Sequence, residues 1–400
     1  MNRSCALAAV LLSAAATPAS AQSVEDWLRA VEVVSTDFYV EWPFEERDGL
    51  LVVALPIGGA DHDFVFDTGA MVMLRPALVS QLETVEHQSM AMTDFLGRGE
   101  PIEVHRARRL ELGGIEVHHA VVAAHDFSAT TAARCLFEPY GGILGPNLFR
   151  GATYQLDYEA GVLRITDQPE RLPGLDEAVA VEAELMAQGT PALPTFLGDR
   201  YIGTHKVDTG YSGHLASGRD ALPLKRLEGR RRSDAVHASS LFGTASGTVR
   251  GHHGVAPELA FGSPTGARLA DVPLDIVPGS SSVLGNQLLR RFRVTVRGDE
   301  VLLEPTGAPP TTEEGLGLSF TRVDEGLVVQ AVVRRGRGRA AGLRAGDLLL
   351  EVDGVPVRAG ADAPCSSAQA AVGALTGAVP GQEVELTVRR GDKVRRLVLR

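Results

Sequence analysis

Short apolar runs, broken every few residues by glycine-bearing turns, fill most of this 400-residue chain. Leu50-Leu51-Val52-Val53-Ala54-Leu55-Pro56-Ile57 reads as a strand, Gly58-Gly59-Ala60-Asp61 as a turn, and Phe64-Val65-Phe66 as the returning strand. A helix is expected from Pro76 to Leu82. Strands are expected over Ile102 to Leu112, Ile115 to Ala124, Thr153 to Tyr158 and Val162 to Ile165. The same rhythm returns in Thr195-Phe196-Leu197, Tyr201 to Val207, Glu258 to Gly262, Phe292 to Val296 and Val301 to Leu303. Upstream, Val24 to Val34 suggests a short amphipathic helix and Asp37 to Trp42 a strand. Residues 22–48 are therefore either a built-in N-terminal segment or a removable pro-segment. Short strands with frequent turns make the first three quarters of the chain mainly β.

Within this pattern one motif occurs twice. Asp67-Thr68-Gly69 follows Phe64-Val65-Phe66, and Asp208-Thr209-Gly210 follows Lys206-Val207, with the aspartates 141 positions apart. Ile143-Leu144-Gly145 ends 78 residues after Asp67, and Val283-Leu284-Gly285 ends 77 after Asp208. Two homologous lobes, 49–170 and 171–304, are expected to bring one aspartate each to a shared centre. Two neighbouring carboxylates cannot both ionise, so they share a proton and supply both a base and an acid.

Glu304 to Thr312 is rich in proline and reads as a linker, assigned to 305–312. The remainder, 313–400, is rich in arginine and alternates short strands with one helix, Ser366 to Leu375. The run Arg334, Arg335, Arg337, Arg339 reads as a solvated loop.

The net charge of −11 argues against nucleic acid or an anionic membrane surface as a partner. Arg3, the apolar stretch Ala6 to Ala16 and the small-residue site Ala19-Ser20-Ala21 read as a secretory signal over 1–21. The mature chain is then expected to start at Gln22 and to be periplasmic or secreted, with no membrane span. Cys5 would leave with the signal. Cys135 and Cys365 are expected to be unreactive thiols, although an oxidising compartment permits a disulfide. His118, His119 and His125, and the pair His252-His253, lack metal-ligand spacing, so neither a metal nor another cofactor is expected.

On the strength of apolar-apolar-Asp-Thr-Gly, a glycine-bearing hairpin and apolar-apolar-Gly, residues 45–305 resemble two retropepsin-type units of aspartic peptidases, joined as in the bilobal pepsin-like enzymes. The resemblance implies a bilobal acid-protease β-barrel fold. It also implies endopeptidase activity on protein or peptide substrates, with Asp67 and Asp208 activating water. Thr68 and Thr209 would cross-brace the loops, and Gly69 and Gly210 would let the backbone approach the dyad. Thr93 to Gly99 and Ser239 to Gly247 would be flaps. Ala70 and Tyr211 depart from the hydroxyl residue usual after each motif. This predicts a less acidic working range, and Tyr211 would crowd the second aspartate. Leu316-Gly317-Leu318-Ser319-Phe320 and Ala341-Gly342-Leu343-Arg344-Ala345-Gly346-Asp347 resemble an α+β PDZ domain over 313–400. Leu316, Gly317 and Leu318 would then receive the carboxylate of a peptide or protein C-terminus. A peptide-binding adaptor whose lobes no longer cleave is the alternative, and an enzyme that processes chiefly itself a third.

Overall fold

The computed structural model describes residues 22–47, 49–93, 99–127, 139–218, 228–236, 249–277, 282–307, 318–323, 325–332, 337–358, 371, 374–375 and 382–400. Several expectations lie outside these residues. They are the signal at 1–21, Cys135, Cys365, the centre of the first hairpin and all of the second, the linker beyond 307, Arg334, Arg335, Leu316, Gly317 and most of the 366–375 helix.

The described chain opens with α1 (Val24–Arg29). Ser23 caps it: its hydroxyl accepts from the Asp26 N–H at 3.1 Å, and its own N–H donates to the Asp26 carboxylate at 2.9 Å. Val24, Trp27 and Leu28 form its buried face. The helix stops short of Val34, because the β-branched stretch after Val31 is taken into β1 (Glu32–Val33), a strand pairing. β2 (Tyr39–Arg47) extends five residues past the expected strand. It is hydrogen-bonded on both sides, so residues 22–47 are built into the sheet and their removal would bare two strand edges.

Next come β3 (Leu50–Ile57), β4 (Ala60–Phe66), β5 (Met73–Leu74), α2 (Pro76–Val79), β6 (Thr84–Thr93), β7 (Gly99–Leu112), β8 (Ile115–Ala124), β9 (Tyr140–Leu144), β10 (Thr153–Asp157) and β11 (Val162–Thr166). Gly58 and Gly59, both at positive φ, make the two-residue β3–β4 turn. From β3 the spatial order is β3-β4-β9-β5-β8-β7-β6, with β4–β9 and β5–β8 parallel.

The second lobe holds β12 (Val179–Glu182), β13 (Glu184–Leu185), β14 (Pro191–Leu197), β15 (Arg200–Val207), β16 (Leu215–Gly218), β17 (Glu228–Val236), β18 (Val249–Phe261), β19 (Ala267–Val277), β20 (Val283–Leu284), α3 (Asn286–Leu289), β21 (Phe292–Arg297) and β22 (Glu300–Pro305). Its order, β14-β15-β20-β16-β19-β18-β17, repeats that of the first lobe strand for strand, again with two parallel pairs. A pairing of β14 with β18 closes this lobe into a barrel. Behind both lobes, β12-β22-β21-β10-β11-β2 is continuous, and Gln155 faces Thr295 where β10 meets β21.

Each lobe is anchored by what lies under its motif. Phe66 packs against Phe149 and Tyr154 with ring centroids 6.1 Å apart in both cases, and Trp42 packs on Phe149 at 5.7 Å. Burying each such ring contributes about 2 kcal/mol, which fixes the end of β4 where Asp67 begins.

The C-terminal module has its own core, including Leu327, Leu349, Leu375 and Val388. Its sheet is β23 (Leu318–Val323), β24 (Gly326–Val332), β25 (Leu348–Val352), β27 (Val384–Arg390) and β28 (Lys393–Leu399) in that spatial order. α4 (Arg337–Ala340) and β26 (Val355–Pro356) complete it. Among the described residues no helix is long and apolar enough to cross a membrane.

Candidate active site between the lobes

Asp67 leaves β4 with its N–H bonded to the Leu144 carbonyl on the parallel neighbour β9, at 2.9 Å. Asp208 leaves β15 with its N–H bonded to Leu284 on β20, also at 2.9 Å. The apolar-apolar-Gly segments are therefore the strands on which the motif loops rest. Gly145 and Gly285 pass against the backbone of the loops, where a Cβ would strike the Ala70 and Gly213 carbonyls.

The loops grip one another. The Thr68 N–H donates to Thr209 Oγ1 at 2.9 Å, and the Thr209 N–H donates to Thr68 Oγ1 at 3.0 Å. Each hydroxyl also donates a hydrogen bond across the lobe boundary, Thr68 to the Val207 carbonyl at 2.7 Å and Thr209 to the Phe66 carbonyl at 2.8 Å. Both side chains are fully buried. The four bonds satisfy groups that water cannot reach, and they hold the two aspartates in register.

Gly69 and Gly210 are needed for a reason visible across the boundary. A Cβ on Gly69 would fall inside the Asp208 carboxyl, and one on Gly210 inside that of Asp67. Each glycine also steadies its own aspartate: Gly69 N–H to Asp67 Oδ1 is 2.8 Å, Gly210 N–H to Asp208 Oδ1 3.0 Å. The structure thus brings Asp67, Thr68, Gly69, Asp208, Thr209 and Gly210 into one constellation.

The two carboxyls face one another across the loop contact, and the proton affinity of each depends on the other. Burial pushes Asp67 well above the usual carboxylate range, and the Asp208 charge adds to this. Burial also raises Asp208, but Lys206, the Gly210 N–H and the bond from Asp67 pull it back. The pair therefore keeps a proton above the range in which free carboxyls ionise. Such a pair can remove a proton from water with one member and deliver a proton with the other.

The Tyr211 ring packs with Ala216 and Val283, and its hydroxyl donates to Asp275 at 2.6 Å.

Some residues that build the site were not found from the sequence. Asn147 accepts from the Val72 N–H and donates to the Val121 carbonyl, both at 2.9 Å. Asn286 donates to the carbonyls of Thr209 at 2.6 Å and Gly49 at 2.9 Å, and accepts from the Tyr158 hydroxyl at 2.8 Å. Both follow the apolar-apolar-Gly segments, where a polar residue in an apolar run was the available signal. Thr190 donates to the Thr68 carbonyl at 2.6 Å from 122 residues away, with no local signal at all. Among the described residues no group of three or more His, Cys, Asp or Glu is placed to hold a metal.

In the C-terminal module Leu318 opens β23, an edge strand hydrogen-bonded to β24. Asp347 is fully buried. It accepts the Arg344 N–H at 2.9 Å and both arms of Arg390, at 2.6 and 2.7 Å.

Residues 315–399 match the PDZ domain family, and the C-terminal module is a PDZ domain. No curated protein matches the chain. Among solved structures the chain is similar to basic 7S globulin from soybean, at 11% identity and a TM-score of 0.42. That similarity covers 66% of this chain and 94% of the globulin.

Proposed function

We propose that the chain is an exported aspartic endopeptidase whose PDZ domain binds the C-termini of substrates or partners. The observation that carries this reading is the reciprocal packing of the two motif loops, in which each lobe's glycine makes room for the other lobe's aspartate. That arrangement places two carboxyls of raised proton affinity side by side, which suits a pair sharing one proton. A water held there loses its proton to the ionised carboxylate as its oxygen attacks the peptide carbonyl carbon. The neutral carboxyl protonates the carbonyl oxygen, and the tetrahedral intermediate collapses with C–N cleavage as a carboxyl proton passes to the departing nitrogen. Both aspartates come from one chain, so the monomer suffices. The bilobal acid-protease fold belongs to this reading. Export, to the periplasm or outside, is supported by the Arg3, Ala6 to Ala16 and Ala19-Ser20-Ala21 pattern.

The PDZ domain on its own supports peptide or partner recognition. β23 offers an edge for strand addition beside Leu318. This same observation favours the second reading, an adaptor that binds peptides without cutting them. Purified 22–400 incubated with an unfolded protein across pH separates the two. The peptidase reading expects cleavage that Asp67→Asn and Asp208→Asn each reduce by at least about 100-fold while staying folded. Absence of cleavage by the parent at every pH would leave the adaptor.

A further inference from the structure

The strand pairings of the second lobe place one row of residues on a single sheet face. Ala192 on β14 faces Lys206 on β15, Lys206 faces Val283 on β20, Val283 faces Ala216 on β16, and Ala216 faces Asp275 on β19. Directly paired residues share a face. The first-lobe row in the same topological place is Val52, Val65, Ile143, Met73 and Ala123. All five are apolar and buried. In the second lobe, then, Lys206 stands where Val65 stands in the first. It lies two residues before Asp208, which follows directly on β15, and in extended chain side chains two apart emerge on one face. Lys206 is half-buried, over Ala192 and Val283, and its ammonium forms no direct ion pair among the described residues. An unpaired cation has replaced an apolar residue beside one member of the dyad only.

We propose that Lys206 is a positioning residue that fixes the dyad's negative charge on Asp208, making the second-lobe aspartate the base and Asp67 the acid. The proposal rests on the peptidase reading for its catalytic meaning, but the charge assignment stands or falls separately. The attraction of Lys206 is the leading influence drawing Asp208 back toward ionisation, and Val65 offers Asp67 none. Among the described residues few other titratable groups share this face. Asp275, on β19 two strands beyond β20, is engaged by Tyr211. His253 and Arg231 continue the row on β18 and β17, and Glu184 ends it on β13. None of these lies on the strand that leads into the aspartate, as Lys206 does.

The test uses full-length mature chain, 22–400, as parent, Lys206→Met and Lys206→Arg. Both the pH profile of kcat/KM and the 13C carboxyl titration of aspartate-labelled protein are read, with Asp67→Asn and Asp208→Asn assigning the signals. Between the two proton steps the parent is expected to show Asp208 as carboxylate. In Lys206→Met both limbs of the profile and both carboxyl steps move to higher pH by about half a unit or more, because a nearby cation lowers both steps. Lys206→Arg keeps the parent profile. A Met variant whose carboxyl steps coincide with the parent's overturns the proposal, whatever happens to kcat, and so does a parent whose charge resides on Asp67. A parent that cleaves nothing while its carboxyls titrate as described sinks the peptidase reading and leaves the charge assignment standing.

Discussion

At the level of single residues, the site is a set of reciprocal dependencies. Because folding raises the proton affinity of both aspartates, the dyad favours the folded state fully only below the unfolded pKa of about 3.9. That contribution is lost as pH rises through the folded values. Asp67→Asn, a neutral isostere, is therefore expected to abolish turnover yet raise Tm by a few °C at neutral pH, with the gain vanishing in strong acid, as a thermal-shift series across pH will read. Thr209→Val removes two bonds of the grip and strands the buried Thr68 N–H, at a cost of about 1–3 kcal/mol in denaturant unfolding. His205 sets an acid limit. It is fully buried, neither ring nitrogen meets a well-aligned partner among the described residues, and burial pushes its pKa down to about 4, which the nearby Gly203 backbone offsets only in part. The unfolded histidine, at about 6.5, binds its proton first, so stability is present above pH 6.5 and lost as pH falls toward 4. Its first-lobe counterpart is Phe64. His205→Phe is expected to unfold later than the parent at pH 5 and no later at pH 8. The aspartates, threonines and glycines were legible because the motif is local and follows a strand. Thr190 and Lys206 were not, since their roles exist only once distant strands are paired.

Among elements, the back sheet carries the chief load between the lobes. Asp157 on β10 is held by Arg164 of its own lobe at 2.8 Å and by Arg293 of the other at 3.1 Å. Burial alone would raise its pKa, but Arg164, the Ala160 N–H and Arg293 outweigh it and hold it below the usual range. Its contribution is thus present above about pH 3.9 and lost as pH falls through the depressed value. Asp157→Ala leaves two arginines facing a partly buried gap and is expected to cost about 3 kcal/mol in denaturant unfolding at pH 7. The long apolar strands were readable from their period. β6 was missed because Thr84 to Thr93 is largely polar, an edge strand needing little burial. The helix expected to reach Val34 was overread, since pairing with β8 outweighed local periodicity there.

For the molecule as a whole, the PDZ domain hangs on a separate core, and its family was legible in the sequence because Gly342, Gly346 and Asp347 sit at fixed turns. A fluorescent peptide with a free C-terminal carboxylate is expected to bind mature chain at least about tenfold more tightly than its amidated form in an anisotropy titration. The two lobes, by contrast, were legible as copies but not as unequal ones. Their inequality bears on descent. Asn286 reaches Thr209, Gly49 and Tyr158, while Pro146 occupies the matching place in the first lobe and has no amide to offer. The cation beside Asp208 likewise has no twin. If the chain arose by fusing two identical halves, they have since specialised: a homodimer of first halves would lack both the Asn286 amide and the Lys206 cation, and a homodimer of second halves would carry each twice.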